Sequence, residues 1–287
     1  MRIRPATEED LEDIARIFES SVAWLTSRYR PDLPTDEHPP GSTSRSEFYR
    51  HLLGTGIILL AEDPEPVGFA GAITRDGVWF LSQFWVAPDR HGSGIGSALL
   101  DETLAWGRDA TAFSVVASPY PVAQKIYLRA SMYPLWTQLD MSGTFPASAM
   151  PEGIEELTVA DQSWVDQLDG EIRGTARPED HAFWRSVAKG FALRRDGSSV
   201  GYVYGWSDGK LGPGAARDPA DIPLLLRAAA LEIPAGRTAS VAIPSSNWIA
   251  LRELTRLGFT PMSANTFMAS RSLGDASRYI SSGGALS

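Results

Sequence analysis

The sequence predicts an α/β (α+β) protein with two tandem domains, each a mixed, mostly antiparallel twisted sheet flanked by helices. Three observations predict it. The chain repeats itself internally, β-branched and aromatic segments alternate with Asp-Pro and Asp-Gly turns, and a glycine-rich turn leads from a strand-like run into an apolar-periodic helix. A length of 287 residues is enough for two domains of ordinary size.

The internal repeat is clearest near the end of each half. Residues 123–132 match residues 250–259 at an offset of 127, and residues 67–69 match 200–202 at an offset of 133. Repetition with loops of differing length is typical of domain duplication. We therefore predict a first domain over residues 1–142, a linker over 143–152, a second domain over 153–271, and a tail over 272–287 that could tuck into a neighbouring cleft.

The first copy contains recognisable start and turn signals. Thr7 with Asp10 three residues later resembles a capping box before an amphipathic helix that carries Leu11, Ile14 and Ile17. We predict strands over residues 3–5, 57–61, 67–73 and 78–86. The helix that follows the glycine-rich turn is predicted over residues 97–106.

The turn that begins at Asp89 has the features of an anion site. Gly92, Gly94 and Gly96 let the backbone approach a ligand, and the helix that follows points its first amides and its dipole at one spot. The turn has no lysine, which excludes a nucleoside-triphosphatase loop, and it lies too far along the chain for a dinucleotide fingerprint. A glycine-rich connection without a ligand is the alternative.

The composition excludes several classes of function. The chain is 43% apolar and 21% charged, with a net charge of −9, which argues against general nucleic-acid binding. There is no cysteine, which excludes disulfides and thiolate catalysis, and the scattered His38, His51 and His181 suggest no metal site. The polar N-terminus and the lack of an 18-residue apolar run predict a cytoplasmic protein without a membrane span, and the preference for Arg over Lys suggests a high-GC bacterial genome.

Residues 86–100 resemble the acetyl-CoA loop of the GNAT N-acetyltransferase superfamily, whose motif reads Gln/Arg-x-x-Gly-x-Gly/Ala. Gly94 and Gly96 fill the glycine positions, and His91 stands where the family usually has Gln or Arg, directly after Arg90. His91 could touch phosphate or merely close the turn. The resemblance implies acetyl-CoA as co-substrate, held by Trp85, Val86, His91, Gly92, Ser93, Gly94, Ile95, Gly96, Ser97 and Ala123.

The second copy departs from this motif. At the positions of the three glycines it has Pro219, Asp221 and Pro223, which remove amide donors and add a carboxylate. At the position of Tyr127 it has Leu254. The chain thus resembles tandem GNAT proteins in which one half keeps the acetyl-CoA site.

Acetyl transfer needs a neutral amine, a stabilised oxyanion and a protonated leaving thiolate. The resemblance implies Tyr127 for the last task, because family members often carry Asn-x-x-Ala-x-x-x-Tyr. Ala123 and Tyr127 match that pattern, whereas Tyr120 replaces the Asn. The alternative is a tyrosine whose ring packs on the sheet.

The sequence identifies no general base. Glu19 and Gln83 could face the cleft or could be ordinary helix and sheet residues. The insert over 22–44, with Trp24 and Tyr29, has no counterpart in the second half. It could be a substrate lid or surface packing, and we take Trp24, Tyr29 and Gln83 as substrate candidates.

These observations predict an N-acetyltransferase that moves an acetyl group from acetyl-CoA to a primary amine of a small molecule or peptide. Two alternatives stay open: a non-catalytic acyl-CoA-binding or scaffold protein, and a transferase for another acyl group or a hydroxyl acceptor. We expect no nucleic-acid or membrane partner, and the sequence leaves the oligomeric state open.

Overall fold

A computed structural model describes residues 1–29 and 45–286. These residues form two compact units, divided between Thr111 and Ala112.

The part of the first unit that the structure describes, residues 1–29 and 45–111, contains four antiparallel strands in the order β1-β2-β3-β4 and three helices. The strands are β1 (Arg2–Pro5), β2 (Gly56–Glu62), β3 (Pro66–Arg75) and β4 (Val78–Val86), and the helices are α1 (Leu11–Tyr29), α2 (Arg45–Thr55) and α3 (Ile95–Trp106). The core between them is formed by residues such as Ile14, Ile17, Leu60, Phe69 and Leu99, each fully buried.

A capping box starts the first helix of each copy. The backbone amide of Thr7 donates to the Asp10 carboxylate at 2.8 Å, and Arg4 donates two further hydrogen bonds to that carboxylate. The Arg4 guanidinium holds the pKa of Asp10 well below its usual range. Thr158 and Asp161 form the same box before the first helix of the second copy, as expected for a duplicated domain.

The second unit contains nine strands and five helices among its described residues. The strand order is β5-β12-β6-β11-β10-β9-β8-β7, with β13 beside β10, and every neighbouring pair is antiparallel except β10 and β11. The strands are β5 (Ala112–Ala117), β6 (Tyr133–Gly143), β7 (Ile154–Glu156), β8 (Lys189–Arg195), β9 (Ser198–Gly205), β10 (Lys210–Ala216), β11 (Ala239–Pro244), β12 (Thr260–Ala269) and β13 (Tyr279–Ile280). The helices are α4 (Pro121–Arg129), α5 (Gln162–Ile172), α6 (Pro178–Val187), α7 (Ile222–Ala230) and α8 (Trp248–Arg256).

The order of elements along the chain repeats. Elements β1-α1-α2-β2-β3-β4-α3-β5-α4-β6 are followed by β7-α5-α6-β8-β9-β10-α7-β11-α8-β12. Matched glycines support the correspondence: a Cβ at Gly68 would lie 3.3 Å from Leu99, and a Cβ at Gly201 would lie 2.9 Å from Leu225. In each copy a glycine on the second meander strand therefore makes room for the helix that follows the meander.

The final strands of the two copies are exchanged. In the second unit β5 pairs with β12, for example Ala117 with Thr266, whereas β6 pairs with β11, for example Met141 with Val241. The exchanged strands β6 and β12 also pair with each other. The predicted boundary at 143–152 follows the sequence repeat, whereas compact packing divides the chain at Thr111, because β5, α4 and β6 pack with the second copy.

None of the helices within 1–29 and 45–286 has the length and apolarity needed to cross a membrane.

Candidate functional site

The glycine-rich turn lies between β4 and α3 in the first unit. A short 3-10 turn over Pro88–Arg90 follows β4, and α3 begins at Ile95 with Gly94 as its N-cap. Ile95 and Leu99 are buried and fix the helix on the sheet. The N-terminus of α3 is thus presented beyond the end of β4, and helix N-termini bind anions in many proteins.

Two of the three glycines have backbone angles that favour glycine. Gly92 has φ +83° and Gly94 has φ +87°. A Cβ built on either would meet no atom of the described residues within 4 Å. The turn is therefore shaped by glycine while its outer side stays open. Gly96 lies inside α3, where a Cβ would be 3.4 Å from the Phe84 ring.

Contacts with the β2–β3 hairpin hold the turn in place. The amide of Ala87 donates to the carbonyl of Val67 at 2.8 Å, and Arg90 donates to the backbone carbonyl of Asp63 at 2.9 Å. Ser93 Oγ donates to the Arg90 carbonyl at 2.6 Å. Because Arg90 also pairs with the Asp63 carboxylate at 3.3 Å, its charge is partly neutralised within the first unit.

His91 closes the turn in this structure. Its Nε2 lies 3.0 Å from the carbonyl oxygen of Val86, a hydrogen bond that the Nε2-protonated tautomer donates. The same carbonyl accepts a bond from Ser21 Oγ at 3.2 Å. The imidazole also packs edge-on against Trp24, with ring centroids 4.7 Å apart. This geometry agrees with the turn-closing alternative for His91, and it brings Trp24 to the turn.

Trp85 and Gln83 lie together on β4. Trp85 Nε1 donates to Gln83 Oε1 at 2.7 Å, and the Trp85 ring packs edge-on against Phe18 at 5.0 Å. The side-chain oxygen of Gln83 therefore orients Trp85. Glu19 pairs with Arg45 at 3.2 Å, which makes this carboxylate a participant in a surface ion pair.

The predicted substrate lid is only partly visible. Residues 22–29 continue α1, whose last residue is the half-buried Tyr29. Residues 30–44, including His38, lie outside the described residues. Among the residues that are described, no group of three or more His, Cys, Asp or Glu side chains could hold a metal ion.

Tyr127 and Ala123 lie on α4, in the second unit. Tyr120 is the N-cap of this helix, and Gln124 Nε2 donates to the Ser118 carbonyl at 2.9 Å, which fixes the turn between β5 and α4. Tyr127 is 4% exposed. Burial raises its pKa above the usual value for a phenol. Burial therefore makes the Tyr127 phenol a weaker acid than an exposed phenol.

The corresponding turn of the second copy is closed by its own carboxylates. Asp218 accepts a hydrogen bond from the amide of Ala220 at 2.8 Å. Asp221, which is 4% exposed, pairs with Arg195 at 2.6 Å, and α7 begins directly after it at Ile222. The amide donors and the anion site that glycines leave open in the first copy are thus replaced by acidic side chains.

Two features of the second copy were missed at the sequence level. Asn247 and Ala250 supply the Asn and Ala of the family pattern, and Asn247 Oδ1 caps α8 through the Ala250 amide at 3.1 Å. The offset of 127 from Tyr120 could have found Asn247. The tail after Ser272, which was predicted to be able to tuck into a cleft, is half-buried and forms the strand β13 at Tyr279–Ile280; the strand itself was not predicted.

Comparison with known proteins identifies the protein family to which residues 21–132 are similar. Residues 21–132 match the model of the acetyltransferase (GNAT) family, whose members are acyltransferases. The chain therefore carries a GNAT acetyltransferase domain over this range, and the resemblance predicted from the glycine-rich turn is confirmed. No curated protein sequence matches the chain.

Solved structures confirm the predicted fold class. A Pyrococcus horikoshii protein described as a candidate acetyltransferase aligns over 100% of this chain and 94% of its own, with 20% identity and a TM-score of 0.78. A GCN5-related N-acetyltransferase from Sphaerobacter thermophilus covers 96% and 98%, with 17% identity and a TM-score of 0.63. A tandem GNAT protein from the clavulanic acid biosynthesis pathway covers 93% and 97%, with 16% identity and a TM-score of 0.56. At these identities the likeness establishes the fold.

Proposed function

We propose that the first copy transfers an acetyl group from acetyl-CoA to a primary amine of a small molecule or peptide. The observation that carries this proposal is the open turn from His91 to Ser97, where glycine conformations and the N-terminus of α3 offer backbone amides to an anion. The contrast with the second copy supports it, because there Asp218 and Asp221 occupy the equivalent turn.

The residues present fit acetyl-CoA at this turn. The amides around Gly92 to Gly96 would hold the pyrophosphate, and Trp85, Val86 and Ala123 are the further residues that we expect to contact the cofactor. When bound, acetyl-CoA supplies an activated acetyl group. In this proposal His91 fixes the turn through its hydrogen bond to the Val86 carbonyl, so that the backbone amides of the turn stay directed at the pyrophosphate site.

Tyr127 is the proposed proton donor to the departing thiolate. The phenol Oη would carry the proton. Burial raises the pKa of this phenol, which makes it a weaker acid, so transfer of its proton to the thiolate is uphill and depends on direct contact between the two groups. The acceptor amine must shed its own proton, since an alkylamine with a pKa of about 10.4 is neutral only to about one part in two thousand at pH 7. Trp24, Tyr29 and Gln83 are the proposed acceptor-side residues.

One observation favours a second candidate function. Tyr127 is almost completely buried, as a tyrosine that only packs on the sheet would be. If Tyr127 only packs on the sheet, the first copy has no proton donor for the thiolate, and the function would be to bind acyl-CoA without transferring the acyl group. A transferase for a longer acyl group or for a hydroxyl acceptor would use the same turn, so the product must be identified.

The absence of cysteine from the chain makes the test direct. A thiol reagent reports released coenzyme A without any signal from the protein. Purified protein is incubated with acetyl-CoA and a panel of amines and amino-alcohols, and the product is identified by mass spectrometry. Amine-dependent release with an acetylated nitrogen supports the proposal. Cofactor binding without release for any acceptor would favour the binding protein.

A further inference from the structure

A crevice opens between β10 and β11 in the second unit. In the described residues the parallel ladder between them has two residue pairs, Lys210 with Ser240 and Leu211 with Val241. A β-bulge follows between Leu211 and Gly214, and bulges bend a strand and re-aim it. Helices α7 and α8 follow these two strands. In α/β sheets a crevice at the carboxyl ends of neighbouring strands is where ligands bind.

The C-terminal segment enters this crevice as a strand. Beyond the bulge, Gly214 and Ala215 pair with Ile280 and Tyr279 of β13. On the other side the amide of Ser281 donates to the carbonyl of Ala242 on β11 at 2.9 Å. The segment thus bonds to both diverging strands, as a peptide does when it is recognised by strand addition.

The crevice is shaped for a backbone. Gly212, in the bulge, has φ +99°, and a Cβ there would lie 2.6 Å from the Ser281 carbonyl oxygen. Asn247, at the start of α8, donates from Nδ2 to the Tyr279 carbonyl at 3.0 Å. The residue that matches the family pattern in this copy therefore binds the peptide backbone of the chain itself.

The buried guanidinium of Arg177 forms hydrogen bonds with the same segment. Arg177, 1% exposed, donates to the Tyr279 hydroxyl at 2.8 Å and to the Leu286 carbonyl at 2.9 Å. Its charge is balanced by the buried Asp169 at 2.7 Å, which also lies 3.1 Å from His181 Nε2. A buried ion pair is costly unless its hydrogen bonds are satisfied, and the segment satisfies two of those of the guanidinium.

We propose that this crevice is a peptide-binding site and that its ligand is the chain's own segment from Asp275 to Leu286. The segment lies outside the ten-element repeat and takes the place of a small-molecule ligand in the second copy. The site recognises an extended peptide with a phenol that reaches Arg177 and, at the next position, an aliphatic side chain that enters the core, as Ile280 does.

The experiment cuts the covalent link between the C-terminal segment and the rest of the chain and leaves the segment in its crevice. A specific protease site is inserted after the exposed Arg271, and the folded chain is cut. The fragment should co-elute with the body of the protein and exchange with a fluorescent synthetic peptide of residues 272–287 at a stoichiometry of one. Exchange is followed by fluorescence anisotropy and does not depend on acetyl transfer, so it stands or fails separately from the proposed function.

Matched peptides test the recognition. A peptide with Tyr279→Phe loses the buried hydroxyl that Arg177 holds, and we expect its affinity to fall about tenfold or more. A peptide with Ser272→Ala loses an exposed hydroxyl and should bind like the parent. Immediate loss of the fragment from a body that stays folded, failure of the fragment to exchange at any temperature below unfolding, or equal affinity of the two variants would each overturn the proposal.

Discussion

Gly94 and Gly258 form a natural pair for testing the anion site. Both have φ +87°, and a Cβ at either would meet no described atom within 4 Å. An L-residue at such an angle costs about 1–2 kcal/mol. Gly94→Ala and Gly258→Ala should therefore lose a similar free energy of unfolding, measured by urea denaturation, and both should stay folded.

The two variants should differ in their affinity for acetyl-CoA. The methyl group at position 94 would stand at the N-terminus of α3, where we propose that the amides meet the pyrophosphate. Loss of one hydrogen bond to a charged group costs about 1.5–3 kcal/mol, which is about 10- to 150-fold in Kd. Isothermal titration calorimetry should show this loss for Gly94→Ala and an unchanged Kd for Gly258→Ala. Equal affinity of both variants would refute the assignment of the turn.

Three further predictions follow from the structure. Tyr127→Phe should keep cofactor affinity and lower turnover by roughly ten- to ten-thousand-fold, the range of general acid catalysis. Tyr49→Phe, at another buried tyrosine, should leave turnover unchanged. Equal turnover of the two variants would show that Tyr127 has only a packing role. Because β11 and β12 pair with β6 and β5, a chain of residues 153–287 should show no cooperative thermal unfolding alone and should regain it when co-expressed with residues 1–152. A cooperative transition of the chain of residues 153–287 alone would argue against the exchange. Hydrogen bonds from Arg256 and Arg227 lower the pKa of Glu253 to about 2, so the stability that Glu253 contributes is present above about pH 4.5 and is lost as the pH falls towards 2. Glu253→Gln should therefore weaken the dependence of the melting temperature on pH between about 4.5 and 2. An unchanged dependence in this range would contradict the prediction.

Local signals in the sequence predicted much of the fold. The strand over 78–86 is observed with the same bounds, because its aromatic and β-branched residues end at a clear turn. The helix after the glycine-rich turn was predicted from residue 97 and begins at Ile95, since Gly94 serves as its N-cap. The capping box at Thr7 and Asp10 formed as predicted because it depends only on neighbouring residues.

Long-range pairing could not be predicted in the same way. Strands β6 and β12 are equivalent in the repeat, so exchanged and unexchanged pairing satisfy the same local pattern. The insertion of Tyr279 and Ile280 beside β10 depends on a bulge at Gly212 and on Arg177, which are distant in sequence. The hydrogen bond between His91 and the Val86 carbonyl depends on the path of the turn, which no local pattern in the sequence indicates, and a contact between His91 and phosphate stays an alternative. The cytoplasmic location, the acceptor amine and the roles of the site residues stay predictions.

The stoichiometry of acetyl-CoA binding tests the central claim most directly, because the first copy presents an open turn and the second copy has carboxylates in its turn and a peptide in its crevice. Calorimetric titration of the whole chain should give one acetyl-CoA per chain, and that binding should weaken in Gly94→Ala. A stoichiometry of two, or a single site whose affinity is untouched by Gly94→Ala, would contradict the account.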